Sequence, residues 1–126
     1  MRCLIIDDNQ SFLAAARVLL EREGLTIGGV ASTGADGLRQ TEALGPDVVL
    51  VDISLGAESG IDLARRLIQD RGSDAVVVLI STRAQDEVAD LIEDRSPIAF
   101  LPKSELSAAA IRRIVDENPL SGTRGK

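Results

Sequence analysis

Val48-Val49-Leu50-Val51, closed by Asp52, decides the fold. The run is apolar without polar alternation, and a strand of that kind is buried on both faces. Moving outward, Cys3-Leu4-Ile5-Ile6 on the N-terminal side and Val76 to Ile80 on the C-terminal side repeat the signature. Ile98-Ala99-Phe100-Leu101 gives a shorter run, and Leu25 to Ala31 a weaker one broken by Gly28-Gly29. Between these strands the period changes to that of a helix. Phe12, Ala15, Ala16 and Leu19 mark a stripe over Ser11–Arg22, which Gly24 stops. Ala35–Leu44 follows, closed by Gly45-Pro46. Stripes at Ile61, Ala64, Leu67 and Ile68, then at Val88, Leu91 and Ile92, and finally at Ile111, Ile114 and Val115 complete the order. Strand and helix alternate five times, a (βα)5 pattern that predicts a doubly wound α/β domain. Its parallel sheet is covered on both faces and its crossovers are right-handed.

The 126 residues are one domain's worth. Residues 1–116 carry the pattern, and 117–126, polar with Pro119, Gly122 and Gly125, read as a flexible C-terminal tail. The 44% apolar content supports a real core. Composition removes several chemistries. Without His there is no His-based acid–base catalysis, and Cys3 alone gives no disulfide. Cys3 reads as a small buried strand residue, compatible with a reducing, cytoplasmic setting. Two Phe are the only aromatics and 20 acids outnumber 14 bases, so direct nucleic-acid contact is disfavoured. No apolar run is long enough for membrane insertion.

Ligands in open α/β sheets sit beyond the carboxyl ends of the strands. Asp7 and Asp8 follow the first strand, Asp52 the third, Ser81 the fourth and Lys103 the fifth. Each has an ordinary reading by itself: a solvated loop or helix cap for Asp7-Asp8, a strand end for Asp52, a cap for Ser81, a surface charge for Lys103. The conjunction on one rim is what points to a site. Carboxylates about 5 Å apart repel by roughly 3 kcal/mol per pair at an effective dielectric near 20. Three of them therefore need a cation or raised pKa values. Lys103 supplies one charge, and an oxygen-bound divalent ion such as Mg²⁺ supplies two. That set suits phosphoryl transfer, in which a carboxylate can be the nucleophile.

The sequence resembles the response-regulator receiver domains of two-component signalling over Met1 to about Asp116. The motifs are Leu4-Ile5-Ile6-Asp7-Asp8, Asp47 to Asp52, Gly60 eight residues after Asp52, Ser81 after its strand, and Phe100-Leu101-Pro102-Lys103. The resemblance implies a flavodoxin-like strand order 2-1-3-4-5. It also implies a switch that takes a phosphoryl group on Asp52 from a histidine kinase or phosphotransfer protein. The only catalysis implied is its own phosphorylation and dephosphorylation. Asp8 and Asp52 would bind Mg²⁺ directly, Asp7 through water, and Ser54 by its backbone carbonyl. Ser81 and Lys103 would each hold a phosphoryl oxygen. Phe100 is either the aromatic switch that follows Ser81 or a core residue of the fifth strand. The output would be a changed surface on the fourth helix, fifth strand and last helix, docking a partner whose identity is not implied. Kinase docking is expected near the first helix and the loop before the last.

Some positions depart from the family pattern. Gly56 stands where Pro is common, which predicts a more mobile loop. Ser104 follows Lys103 in place of Pro, which leaves the isomer of that peptide bond open. Ser96-Pro97 replaces a Gly-rich stretch. Thr82 is a second candidate for the switch hydroxyl, and Ser54 and Arg83 flank the pocket. The acidic fourth helix (Asp86, Glu87, Asp90, Glu93, Asp94) reads as a solvated face or as a dock for a basic partner. The chain as given reads as a stand-alone receiver. The alternatives are a receiver fragment of a longer DNA-binding response regulator, or a phosphorelay intermediate. An Asp-nucleophile phosphohydrolase is disfavoured, because Ser54 stands where a second acid–base Asp is usual. A flavin or nucleotide binder lacks its Gly-rich loop, and a phosphate-independent receiver would not need the acidic pocket.

Overall fold

A computed structural model describes residues 1–55, 58–69, 75–82 and 98–117. The elements are β1 (Arg2–Ile6), α1 (Gln10–Arg22), β2 (Thr26–Ala31), α2 (Gly34–Leu44) and β3 (Val48–Asp52). They continue with β4 (Ser54–Leu55), β5 (Glu58–Ser59), α3 (Gly60–Gln69), β6 (Val76–Ser81), β7 (Ala99–Pro102) and α4 (Ala108–Glu117). The main sheet has the order β2-β1-β3-β6-β7, with every neighbouring pair parallel. The short β4–β5 hairpin lies outside that sheet. In order of appearance the five main strands therefore run 2-1-3-4-5, as the resemblance implied.

The unbroken apolar runs are explained by two cores. Strand side chains alternate between faces. Cys3, Ile5, Val48, Leu50, Val76, Val78 and Ile80 enter the core beneath α1 and α4. Leu4, Ile6, Val49, Val51, Val77 and Leu79 enter the one beneath α2 and α3. Both parities must be apolar, so no polar alternation survives. Cys3 is buried, and desolvation pushes its thiol up to about 12.

Two local expectations are corrected and a third takes a specific form. The buried stripe of α1 is Leu13, Ala16 and Leu20, whereas Ala15 and Leu19 face out and Phe12 is half-buried. Every position from Phe12 to Leu20 except Arg17 is apolar, so several phases fit the pattern. The phase is set by where the Asn9 cap starts the helix, its side chain accepting from the Phe12 N–H at 3.0 Å. In β2 the expected interruption at Gly28-Gly29 takes the form of a register shift within one strand. Cys3 pairs with Ile27 and Leu4 with Gly29, so Gly28 is the extra residue of a bulge. The expected loop after Asp52 contains the antiparallel β4–β5 pair, Ser54 opposite Ser59. Helix ends follow the sequence signals: Gly24 and Gly45 both take positive φ just beyond α1 and α2.

Gly56, Arg83, the acidic fourth helix and Ser96-Pro97 lie outside the described residues, as does 118–126 of the expected tail. Among the described residues, no helix is long and apolar enough to cross a membrane.

Candidate functional site

The carboxyl ends of β1, β3, β6 and β7 form one rim because the parallel register puts them level. Asp52, last in β3, pairs with Ile80 of β6, and Ser81 pairs with Pro102 of β7. The Asp7 N–H extends the ladder of β1 by donating to Ala31 at 2.9 Å.

Asp7 has no exposed surface. Its Oδ1 accepts from the Asn9 N–H at 2.8 Å. Its Oδ2 receives no hydrogen bond among the described residues and instead faces the Lys103 ammonium, with Nζ 2.7 Å away. The same Nζ lies 3.7 Å from Asp52 Oδ1, and the Lys103 side chain is 15% exposed. It also stands 4.2 Å from the centroid of the Phe12 ring, over its face. Lys103 reaches this position because β7 ends at Pro102 and the chain turns through a short 3₁₀ segment, with Leu106 N–H donating back to the Lys103 carbonyl at 3.2 Å. No described peptide bond is cis, so the Lys103–Ser104 bond is trans.

Asp7, Asp8 and Asp52 each present a carboxylate oxygen within 4.8 Å of the others. Asp8 is exposed and Asp52 is buried, which gives the cluster one open side. The Asp52 carboxyl is pushed up to about 6. Burial is the main cause, followed by the Asp7 charge, and together with Asp8 these outweigh the Lys103 ammonium and the Ser54 N–H donated to it. The cluster therefore carries more negative charge than its own cation balances. A fully buried carboxylate oxygen whose close partner among the described residues is an ammonium, in an all-oxygen donor set with an open side, fits a hard divalent cation such as Mg²⁺.

The backbone of the loop after Asp52 is held from behind. Gly60 N–H donates to the Ile53 carbonyl at 2.8 Å. A Cβ at Gly60 would overlap the Asp52 carbonyl oxygen and crowd Ile53 Cα. This is the physical reason for a glycine eight residues after Asp52.

The structure thus brings together Asp7, Asp8, Asp52 and Lys103. Ser81 is buried at the end of β6, while Thr82 beside it is exposed, so of the two hydroxyls Ser81 is the one enclosed with the rim. Ser54 contributes its N–H to Asp52. Phe100 lies on β7 opposite Leu79, half-buried against the core beneath α2 and α3. The sequence reading missed two residues. Asn9 both caps α1 and supports Asp7, a role signalled by an Asx residue directly before a helical stripe. Phe12 carries no local signal for its contact with Lys103, which lies 91 residues further along the chain.

Residues 3–116 match the family described as response regulator receiver domain. The DNA-binding response regulator MtrA of Mycolicibacterium smegmatis is 32% identical over 121 residues, covering 92% of this chain and 53% of MtrA. The transcriptional regulatory protein LiaR of Bacillus subtilis is 28% identical over 109 residues, covering 86% of this chain and 51% of LiaR. The chain spans about half the length of these curated relatives. Among solved structures, the signal receiver domain of a modulated diguanylate cyclase from Desulfovibrio desulfuricans G20 is similar. It has a TM-score of 0.76 and 26% identity, covering 99% of this chain and 98% of that one.

Proposed function

The chain belongs to the response regulator receiver domain family, and from that premise we propose that it is a Mg²⁺-dependent signalling switch with Asp52 as phosphoacceptor. The donor is a phosphohistidine on a histidine kinase or phosphotransfer protein. An Asp52 carboxylate oxygen attacks phosphorus, an O–P bond forms, and the P–N bond breaks. The imidazole nitrogen keeps the electron pair and takes up a proton. With its pKa at about 6, Asp52 is about 90% ionised at pH 7, as a nucleophile must be.

Asp8 and Asp52 would hold Mg²⁺ directly, Asp7 through water, and the Ser54 carbonyl would complete the protein's share. When bound there, the ion would supply the positive charge that a phosphoryl group needs among three carboxylates. Lys103 turns from the carboxylates to one phosphoryl oxygen, and the Ser81 hydroxyl donates to another. The acyl phosphate adds about −1.5 to −2 charge. Ser81 and Phe100 carry that change to the surface of β7, the preceding acidic segment and α4, where the output partner docks in the cytoplasm.

The observation that carries this reading is the placement of one ammonium against both Asp7 and Asp52, with three carboxylate oxygens within 4.8 Å. The test is incubation with acetyl phosphate and Mg²⁺, followed by mass spectrometry of the intact chain and its peptides. One phosphoryl group on the peptide containing Asp52, absent from Asp52→Asn, is expected. Labelling of Asp52→Asn at the wild-type rate would overturn the assignment.

A further inference from the structure

We propose that Phe12 is a positioning residue for phosphoryl transfer, its ring face holding the Lys103 ammonium over the acidic pocket. The inference rests on the reading of Asp52 as acceptor and adds a residue to that site.

Three groups surround Nζ: Asp7 Oδ2 at 2.7 Å, Asp52 Oδ1 at 3.7 Å and the Phe12 ring centroid at 4.2 Å. The two carboxylates change their demands during the reaction, since Asp52 becomes an acyl phosphate and the ammonium must follow the new charge. The ring does not change. Its negative face attracts a cation whether the neighbouring oxygen belongs to a carboxylate or to a phosphoryl group. It also replaces water on one side of the ammonium, which limits the conformations open to a long flexible side chain.

The ring is tied to the pocket through the chain itself. Asp7 Oδ1 accepts from Asn9 N–H at 2.8 Å, and Asn9 Oδ1 accepts from Phe12 N–H at 3.0 Å. Asp7, Asn9, Phe12 and Lys103 therefore close a circuit that returns to Asp7 through its other oxygen. Phe12 also packs against the core beneath α1 and α4, so the first turn of α1 is anchored on its inner side. A ring held at both its backbone and its inner edge can fix a lysine that enters from the far end of the sheet.

The test uses the full chain with Phe12 replaced by mono-, di- and trifluorinated phenylalanine, together with Phe12→Tyr and Phe12→Leu. Fluorination drains the ring face while nearly preserving its shape. Two readouts are taken: the NMR shift of the Lys103 ε-methylene protons without Mg²⁺, and the rate of phosphoryl uptake from acetyl phosphate with Mg²⁺. The wild type is expected to show an upfield ring-current shift at Lys103, which Phe12→Leu loses and Phe12→Tyr keeps. The uptake rate is expected to fall about two- to tenfold in Phe12→Leu and in graded steps along the fluorine series. Tyr should hold the rate. A Lys103 shift absent from the wild type overturns the proposal. So does a flat rate along the fluorine series in a protein that labels normally, and that result leaves Asp52 as acceptor untouched. A wild type that takes up no phosphoryl group overturns the acceptor reading and the role of Phe12 with it.

Discussion

Replacing Asp52 by Asn should stabilise the fold, and the structure gives the sign, the size and the pH window. The Asp52 carboxyl sits at about 6, raised first by burial and then by Asp7. An unfolded Asp titrates near 3.9, so ionising Asp52 in the folded state costs about 2 pH units, or about 3 kcal/mol. Its side chain is only 11% exposed, so solvent screens little of that penalty. A raised acid favours the folded state in its protonated form. The wild type therefore loses this increment as pH rises from about 4 to about 6, whereas Asn, uncharged throughout, loses nothing. Below about pH 4 the two proteins should be equally stable. Above pH 6 in divalent-free buffer, Asp52→Asn should lead by up to about 3 kcal/mol. Urea denaturation followed by circular dichroism, from pH 4 to pH 8 with a chelator present, measures the gap. Saturating Mg²⁺ should shrink the gap, because the wild-type carboxylate gains a partner that Asn cannot match. A variant no more stable than wild type at pH 8, or a gap unchanged down to pH 4, would refute the electrostatic account of the pocket.

Lys103→Met removes the cation that faces Asp7 Oδ2 and leaves a buried carboxylate charge without its ammonium. It should cost about 3 kcal/mol in divalent-free buffer, read from urea midpoints, and added Mg²⁺ should recover part of it. Gly60→Ala forces a Cβ into the backbone of Asp52 and Ile53, so the acceptor loop must shift. A loss of at least about 2 kcal/mol is expected, with slower phosphoryl uptake in the same preparation. Phosphoryl uptake should fall with acidity at limiting Mg²⁺, half-lost near pH 6, because only ionised Asp52 attacks. Raising Mg²⁺ should move that midpoint to lower pH, since a bound cation favours the ionised form.

The sheet was legible because its signal is redundant. Val48–Val51 and Val76–Ile80 are apolar at every position, and only a sheet with two cores requires that. The face of α1 was not legible for the opposite reason. With Arg17 the one interruption between Phe12 and Leu20, periodicity does not single out a phase, and the Asn9 cap had to settle it. The β4–β5 hairpin is two residues per strand, too short for any period to register. At the site, Asp7, Asp8, Asp52 and Lys103 could be read from strand ends, because parallel register levels those ends without knowledge of packing. Phe12 could not, because its contact with Lys103 depends on how α1 leaves the sheet, which is a tertiary fact.

The pocket is best understood as a deliberate imbalance. If Lys103 and the Ser54 N–H outweighed burial and the neighbouring acids, the Asp52 carboxyl would lie below its ordinary range, as in a settled ion pair. It lies above, at about 6, because burial first and the Asp7 charge second outweigh what Lys103 and the Ser54 N–H offer it. That uncompensated acidity costs stability in the resting protein, and on the proposed reading a divalent cation would relieve it. A phosphoryl group adding about −1.5 to −2 charge would deepen the imbalance unless that cation were present. On the proposed reading, dependence on Mg²⁺ would follow from charge before any rate is considered. Lys103 alone cannot serve both Asp7 and an acyl phosphate at full strength. On the proposed mechanism its departure from Asp7 would require another cation near the vacated carboxylate, which would couple metal binding to the movement of Lys103.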